Sequence, residues 1–72
     1  MKVWESNVLR ATAKKVVAES AERTKGLKMA RERDQVNAEI ITRYHRDIEG
    51  SFTRVQLVYM IGVVRGILRD PS

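Results

Sequence analysis

Apolar residues in the first third of the chain recur at intervals of three and four, the spacing of one face of a helix. Ser6 or Asn7 suits the N-cap of this first helix, and Gly26 stands where a left-handed residue after the C-cap belongs. The pattern therefore predicts a helix that ends near Gly26, with these residues on its apolar face: Trp4, Val8, Leu9, Ala13, Val16, Val17 and Ala21.

A second helical period runs from Leu27 to Glu49, and Gly50 is expected to end it. Almost every residue between Arg31 and Gln35 is charged, so we expect the beginning of this long helix to be exposed. Its apolar stripe consists of Met29, Val36, Ile40, Ile41, Tyr44 and Ile48.

The third segment carries the strongest local signal in the chain. Thr53 and Gln56 have the spacing of a capping box, and Phe52 and Leu57 have the spacing of a hydrophobic staple. These signals predict a helix from Arg54 to about Asp70, with Pro71 as its stop. The competing interpretation is a strand over 55–61, because valine, isoleucine and tyrosine favour strands and glycine disfavours helices.

Together these elements predict a mainly α, small three-helix arrangement in one domain, residues 1–72. The third helix is apolar nearly all round, so we expect it to be covered on several sides. If the strand interpretation holds, the fold is a small α+β domain instead. Gly62 and Gly66 are four residues apart and would let a helix approach closely; we favour packing against the first helix over a homo-oligomer contact.

Composition narrows the class of protein further. The chain has 72 residues and no cysteine, so disulfides are excluded, and a single histidine cannot complete a structural zinc site. We expect no metal and no cofactor. No apolar run resembles a signal peptide or spans a bilayer, so we expect a cytoplasmic protein without a membrane partner.

No set of residues suited to catalysis is evident. His45 is the only imidazole; it has no thiol to activate, and its pairing with Glu49 one turn later is typical of a helix surface. Phosphate-binding loops and calcium loops are also absent, and the chain is short for enclosing a substrate. The sequence therefore predicts a protein that is not an enzyme.

The net charge of +5 is concentrated at the two ends of the chain, whereas residues 26–50 are neutral. A basic surface favours an acidic partner, and the charged stretch around Leu27 and Met29 suits a protein interface. Sequence-independent DNA binding through the first helix is the alternative, because the third helix offers almost no polar side chain to bases. The candidate partner-binding residues are Arg10, Lys14, Lys15, Lys28, Arg31 and Arg33.

In size, positive charge and lack of catalytic groups, the whole chain resembles small phage-encoded regulators that bind host RNA polymerase. The resemblance is one of general character over all 72 residues and involves no motif. It implies a transcription inhibitor that occupies the polymerase and displaces a factor, with no chemistry of its own. The resemblance assigns a role to no single residue.

Overall fold

A computed structural model describes residues 6–69 and shows three helices connected by short turns. Helix α1 spans Asn7–Thr24, α2 spans Ala30–Ile48 and α3 spans Arg54–Val64. The mainly α prediction is confirmed. Within residues 6–69 no strand is present, so the strand over 55–61 and the α+β alternative are wrong. Trp4, Asp70 and Pro71 lie outside the described residues.

Helix α1 begins where the sequence indicates. Ser6 is its N-cap, and the Ser6 hydroxyl accepts a hydrogen bond of 3.3 Å from the backbone N–H of Leu9. After Thr24 the chain reverses through Lys25 at φ −60° and ψ 122° and Gly26 at φ +88°, and the N–H of Leu27 donates to the Thr24 carbonyl. These are the angles of a type II turn, which requires a residue such as glycine at its third position.

Helix α2 is the longest of the three, but it begins at Ala30 rather than Leu27. Its N-cap is Met29, whose side chain makes no capping hydrogen bond. Every residue from Ala30 to Gln35 is exposed, as the run of charges predicts.

Helix α3 begins with the predicted capping box. The Thr53 hydroxyl accepts from the N–H of Gln56, and the Gln56 side chain accepts from the N–H of Thr53 at 2.8 Å. Phe52 is half-buried against the core, next to the fully buried Leu57 four positions into the helix. These local interactions, together with burial, override the strand preference of the valines.

The end of α3 differs from the prediction, because the helix stops at Val64 rather than near Asp70. Gly66 adopts φ +80°, the N–H of Ile67 donates to the Gly62 carbonyl, and the N–H of Gly66 donates to the Val63 carbonyl. This pair of bonds is a Schellman motif, and it turns the chain back before Pro71 is reached.

The prediction that Gly62 and Gly66 admit the first helix is wrong. The nearest atoms to a side chain added at Gly62 belong to Leu68, with its Cδ1 at 2.5 Å. Gly62 therefore accommodates the segment after α3, whereas Gly66 supplies the left-handed conformation that ends the helix.

The core lies where α1 packs against both other helices, while α2 and α3 touch each other least. The core residues are Leu9, Ala13, Val16, Ile40, Ile48, Leu57, Met60 and Ile61. Helix α3 packs against both α1 and α2 as predicted, but one of its faces is left uncovered, where Val55 is 77% and Val58 44% exposed. With only three helices, no fourth element is available within residues 6–69 to cover that face.

Candidate functional site

The six predicted binding residues fall into two groups rather than one surface. Arg10, Lys14 and Lys15 lie in the first half of α1, whereas Lys28 lies beyond its end and Arg31 and Arg33 lie in α2. At 1.5 Å per residue, Arg10 is about 20 Å along the axis from the end of α1. Arg10 and Lys14 share one side of the helix, and Lys15 lies about 100° around the axis from Lys14.

Lys25 and Lys28 lie in the connection between α1 and α2, and Arg31 and Arg33 lie in the first turn of α2, about 200° apart around its axis. All four side chains are exposed, and Met29 among them is 57% exposed. We call these five residues the tip surface. Glu32 and Asp34 are also exposed there, so the positive charge is interrupted by carboxylates.

A second charged cluster links α1 to α2. Glu19 accepts hydrogen bonds from Arg43 and, at 3.1 Å, from the Tyr44 hydroxyl, and it pairs with Arg23 at 3.7 Å. Arg23 also approaches Glu39 of α2 at 3.9 Å. The i,i+4 spacing of Glu19 and Arg23 indicates their pair, but only the packing of the two helices brings Arg43 to Glu19.

Glu19 is the acidic centre of this cluster, and its side chain is 26% exposed. Partial burial acts to raise the pKa of Glu19, but the hydrogen bonds from Arg43 and Tyr44 and the charge of Arg23 outweigh it. The net effect lowers the pKa of Glu19 below its ordinary value. The ionised carboxylate is therefore the form that the folded protein favours.

We expect Glu19→Gln to lower the melting temperature at pH 7 by no more than a few degrees, because the cluster is partly exposed. A lowered pKa in the folded state contributes stability above the ordinary carboxyl value of about 4.3, and this is lost as the pH falls through the lower value. Thermal unfolding followed by circular dichroism at pH 7 and below pH 3 measures the difference. Glu22→Gln, which changes an exposed residue of the same helix, is the control. If Glu19→Gln lowers the melting temperature as much below pH 3 as at pH 7, the ionised carboxylate of Glu19 is not the stabilising group.

His45 performs a structural task rather than pairing with Glu49. Its Nε2 lies 2.8 Å from the carbonyl oxygen of Phe52, which ties the end of α2 to the residue before the α3 cap. The described part of the chain holds no group of three histidine, aspartate or glutamate side chains that could bind a metal ion. Among residues 6–69, no helix is both long and apolar enough to cross a membrane.

Sequence reasoning missed an apolar groove of about 320 Å³ where the three helices meet. Its walls include Val17 of α1, Ile41 of α2 and Val58 of α3, and Ile67 and Leu68 close one side. At its floor the Ser20 hydroxyl donates a hydrogen bond to Asn37 Oδ1. The signal in the sequence was the third helix itself, which carries more apolar positions than two partner helices can cover.

Comparisons with protein-family models, characterised proteins and solved structures find no significant match to this chain.

Proposed function

We propose that this protein is a non-enzymatic binding module that docks its tip surface on an acidic face of a protein partner. The observation that carries the proposal is that Met29 is 57% exposed and has four exposed cations within four positions of it along the chain, at the start of α2. An exposed apolar side chain surrounded by arginine and lysine is typical of a protein interface, where arginine and methionine are enriched. The cations steer an acidic partner to the site.

Several features support a protein partner rather than DNA. Glu32 and Asp34 would face the phosphates if the tip surface lay along a duplex, and like charges repel. On α1, Arg10 and Lys14 lie on one side and Lys15 on another, next to Glu19 and Glu22 along the helix. Neither group forms an uninterrupted basic stripe of the kind that follows a phosphate backbone.

The resemblance to phage-encoded regulators makes RNA polymerase the first partner to test. In that form of the function, the module regulates transcription by occupying the enzyme and displacing a factor. The basic residues of α1, Arg10, Lys14 and Lys15, would then contribute at the edge of the contact.

Binding of purified RNA polymerase to the immobilised protein tests the proposal. We expect Lys28→Glu combined with Arg31→Glu to weaken binding by about tenfold or more, because both cations would become repulsive toward an acidic face. Arg46→Glu with Asp47→Lys, near the other end of α2, is the fold control and should leave binding within about threefold. Lys14→Glu measures the contribution of α1 separately.

Three outcomes would count against the proposal. They are the absence of any polymerase binding, binding of the tip variant equal to that of the unchanged protein, and loss of binding on nuclease treatment. The last outcome, accompanied by a steep salt dependence of DNA affinity, would favour the DNA-binding alternative.

A further inference from the structure

The groove continues into an exposed apolar strip along α3. Val55, Val58 and Gly62 follow one another at i, i+3 and i+7, so they share a face of the helix. Ile67, which is 74% exposed, extends the strip beyond the end of α3. The strip is therefore longer than the groove and runs along the helix axis.

The charges that α3 and the residues after it contribute, up to Arg69, all have one sign. From Ser51 to Arg69 the chain contains three arginines and no aspartate or glutamate. Among residues 6–69, Arg65 is the only ionisable side chain that lines the groove, and Arg54 lies at the other end of α3. Arg54 is held by a 2.7 Å hydrogen bond from its Nη1 to the hydroxyl of Thr42 in α2. An apolar strip with an arginine at each end is thus complementary to an apolar ligand with acidic flanks.

We propose that the groove and strip bind an amphipathic helical segment of another protein, with acidic residues flanking its apolar face. Helices dock in grooves through apolar side chains at i, i+3, i+4 and i+7, which matches a strip that runs along α3. One large side chain enters the groove beside Val58 and Ile41, and carboxylates of the segment pair with Arg65 and Arg54.

Two other occupants fit the observations less well. A second copy of this chain would bring arginines of both strips together, and each copy carries a net charge of +5. A small apolar carboxylate could pair with Arg65 and fill the groove, but it would leave Val55 and Ile67 exposed. The acidic helical segment covers the whole strip.

This inference is independent of the proposed function, because the groove shares no residue with the tip surface. The two surfaces can be altered separately, and loss of polymerase binding by the tip variant leaves the groove intact. A single partner could engage both surfaces, or two partners could bind together.

Fluorescence anisotropy with two labelled synthetic peptides tests the proposal. Each peptide has about 18 residues, or five helical turns, with leucines at i, i+3, i+4 and i+7; one has glutamates on its flanks and the other has lysines. We expect the glutamate peptide to bind at least about tenfold more tightly than the lysine peptide. Arg65→Glu should reduce that preference at least severalfold, since the residue is exposed and its replacement leaves the core intact.

Val58→Glu should weaken binding of the glutamate peptide by about tenfold or more, because the change removes an apolar contact and adds a repulsive charge. The matched control is Val8→Glu, which places the same charge at an exposed valine of α1 away from the groove. Backbone amide shifts of Ile67 and Leu68 on titration locate the peptide.

Equal binding of both peptides, or no binding of either, would overturn the proposal. Full binding by the Val58→Glu variant would do the same. If sedimentation shows a dimer and Val58→Glu dissociates it, the strip binds a second copy of this chain. If decanoate saturates the groove and displaces the peptide completely, the groove binds a small carboxylate instead.

Discussion

Replacing Leu57 by alanine should lower the free energy of unfolding by about 2–5 kcal/mol, the largest effect that we expect from a single conservative change. Leu57 is fully buried, one turn into α3, in the core that α1 and α2 complete. Truncation removes apolar atoms from the core and leaves a cavity that the short helices close only in part. A chain of this size buries only about 60% of the surface that its unfolded form exposes and is marginally stable, so such a loss approaches its whole stability.

Urea unfolding followed by circular dichroism measures this effect. Val55→Ala is the matched control, because it truncates an apolar residue of the same helix that is 77% exposed. We expect the control to lie within about 0.5 kcal/mol of the unchanged protein. A Leu57→Ala protein as stable as the control would contradict the position of α3 in the core.

The second large effect concerns the hydrogen bond between Ser20 and Asn37. Ser20 is 2% exposed, and its hydroxyl donates to Asn37 across the contact between α1 and α2. Asn37→Ala leaves a buried donor without this acceptor and should cost about 1–3 kcal/mol. Ser20→Ala combined with Asn37→Ala removes both partners, so the double variant should lose less than the sum of the two single variants.

A double-mutant cycle of four proteins in urea measures the coupling directly. We expect a coupling free energy above about 0.5 kcal/mol, which is typical of residues in contact. Gln35→Ala, an exposed amide of the same helix, is the control for the loss of a polar side chain. Additive effects of the two changes would show that the hydrogen bond contributes no stability.

The starts of α1 and α3 could be predicted because their capping signals lie within four residues, whereas α2 has no side-chain cap and begins three residues later than predicted. Ser6 caps α1, and the reciprocal bonds of Thr53 and Gln56 define the start of α3. The sequence prediction places the end of α3 too late, because Pro71 is a strong stop signal, whereas Gly66 already ends the helix. A glycine in a helical pattern is ambiguous, since the same residue can lie within a helix or terminate it in a left-handed conformation.

The candidate site was less accessible to sequence reasoning. The six basic residues all lie between positions 10 and 33 of the sequence. In the structure, however, most of the length of α1 lies between Arg10 and Lys28. Arg43 could have paired with Glu39 or Asp47 on its own helix, yet it contacts Glu19 on α1. Such choices depend on which helix faces which, and the spacing of residues does not contain that information.

The sequence by itself determined three helices, two of their caps, the absence of thiol chemistry and an excess of positive charge. Each of these depends on composition or on interactions within one or two helical turns. Only the tertiary structure decided that the basic residues divide into two groups, that Leu68 folds against Gly62, and that one face of α3 remains uncovered. The reason is physical: packing three helices of unequal length sets which apolar residues find a partner, and the shortest helix is left with a groove.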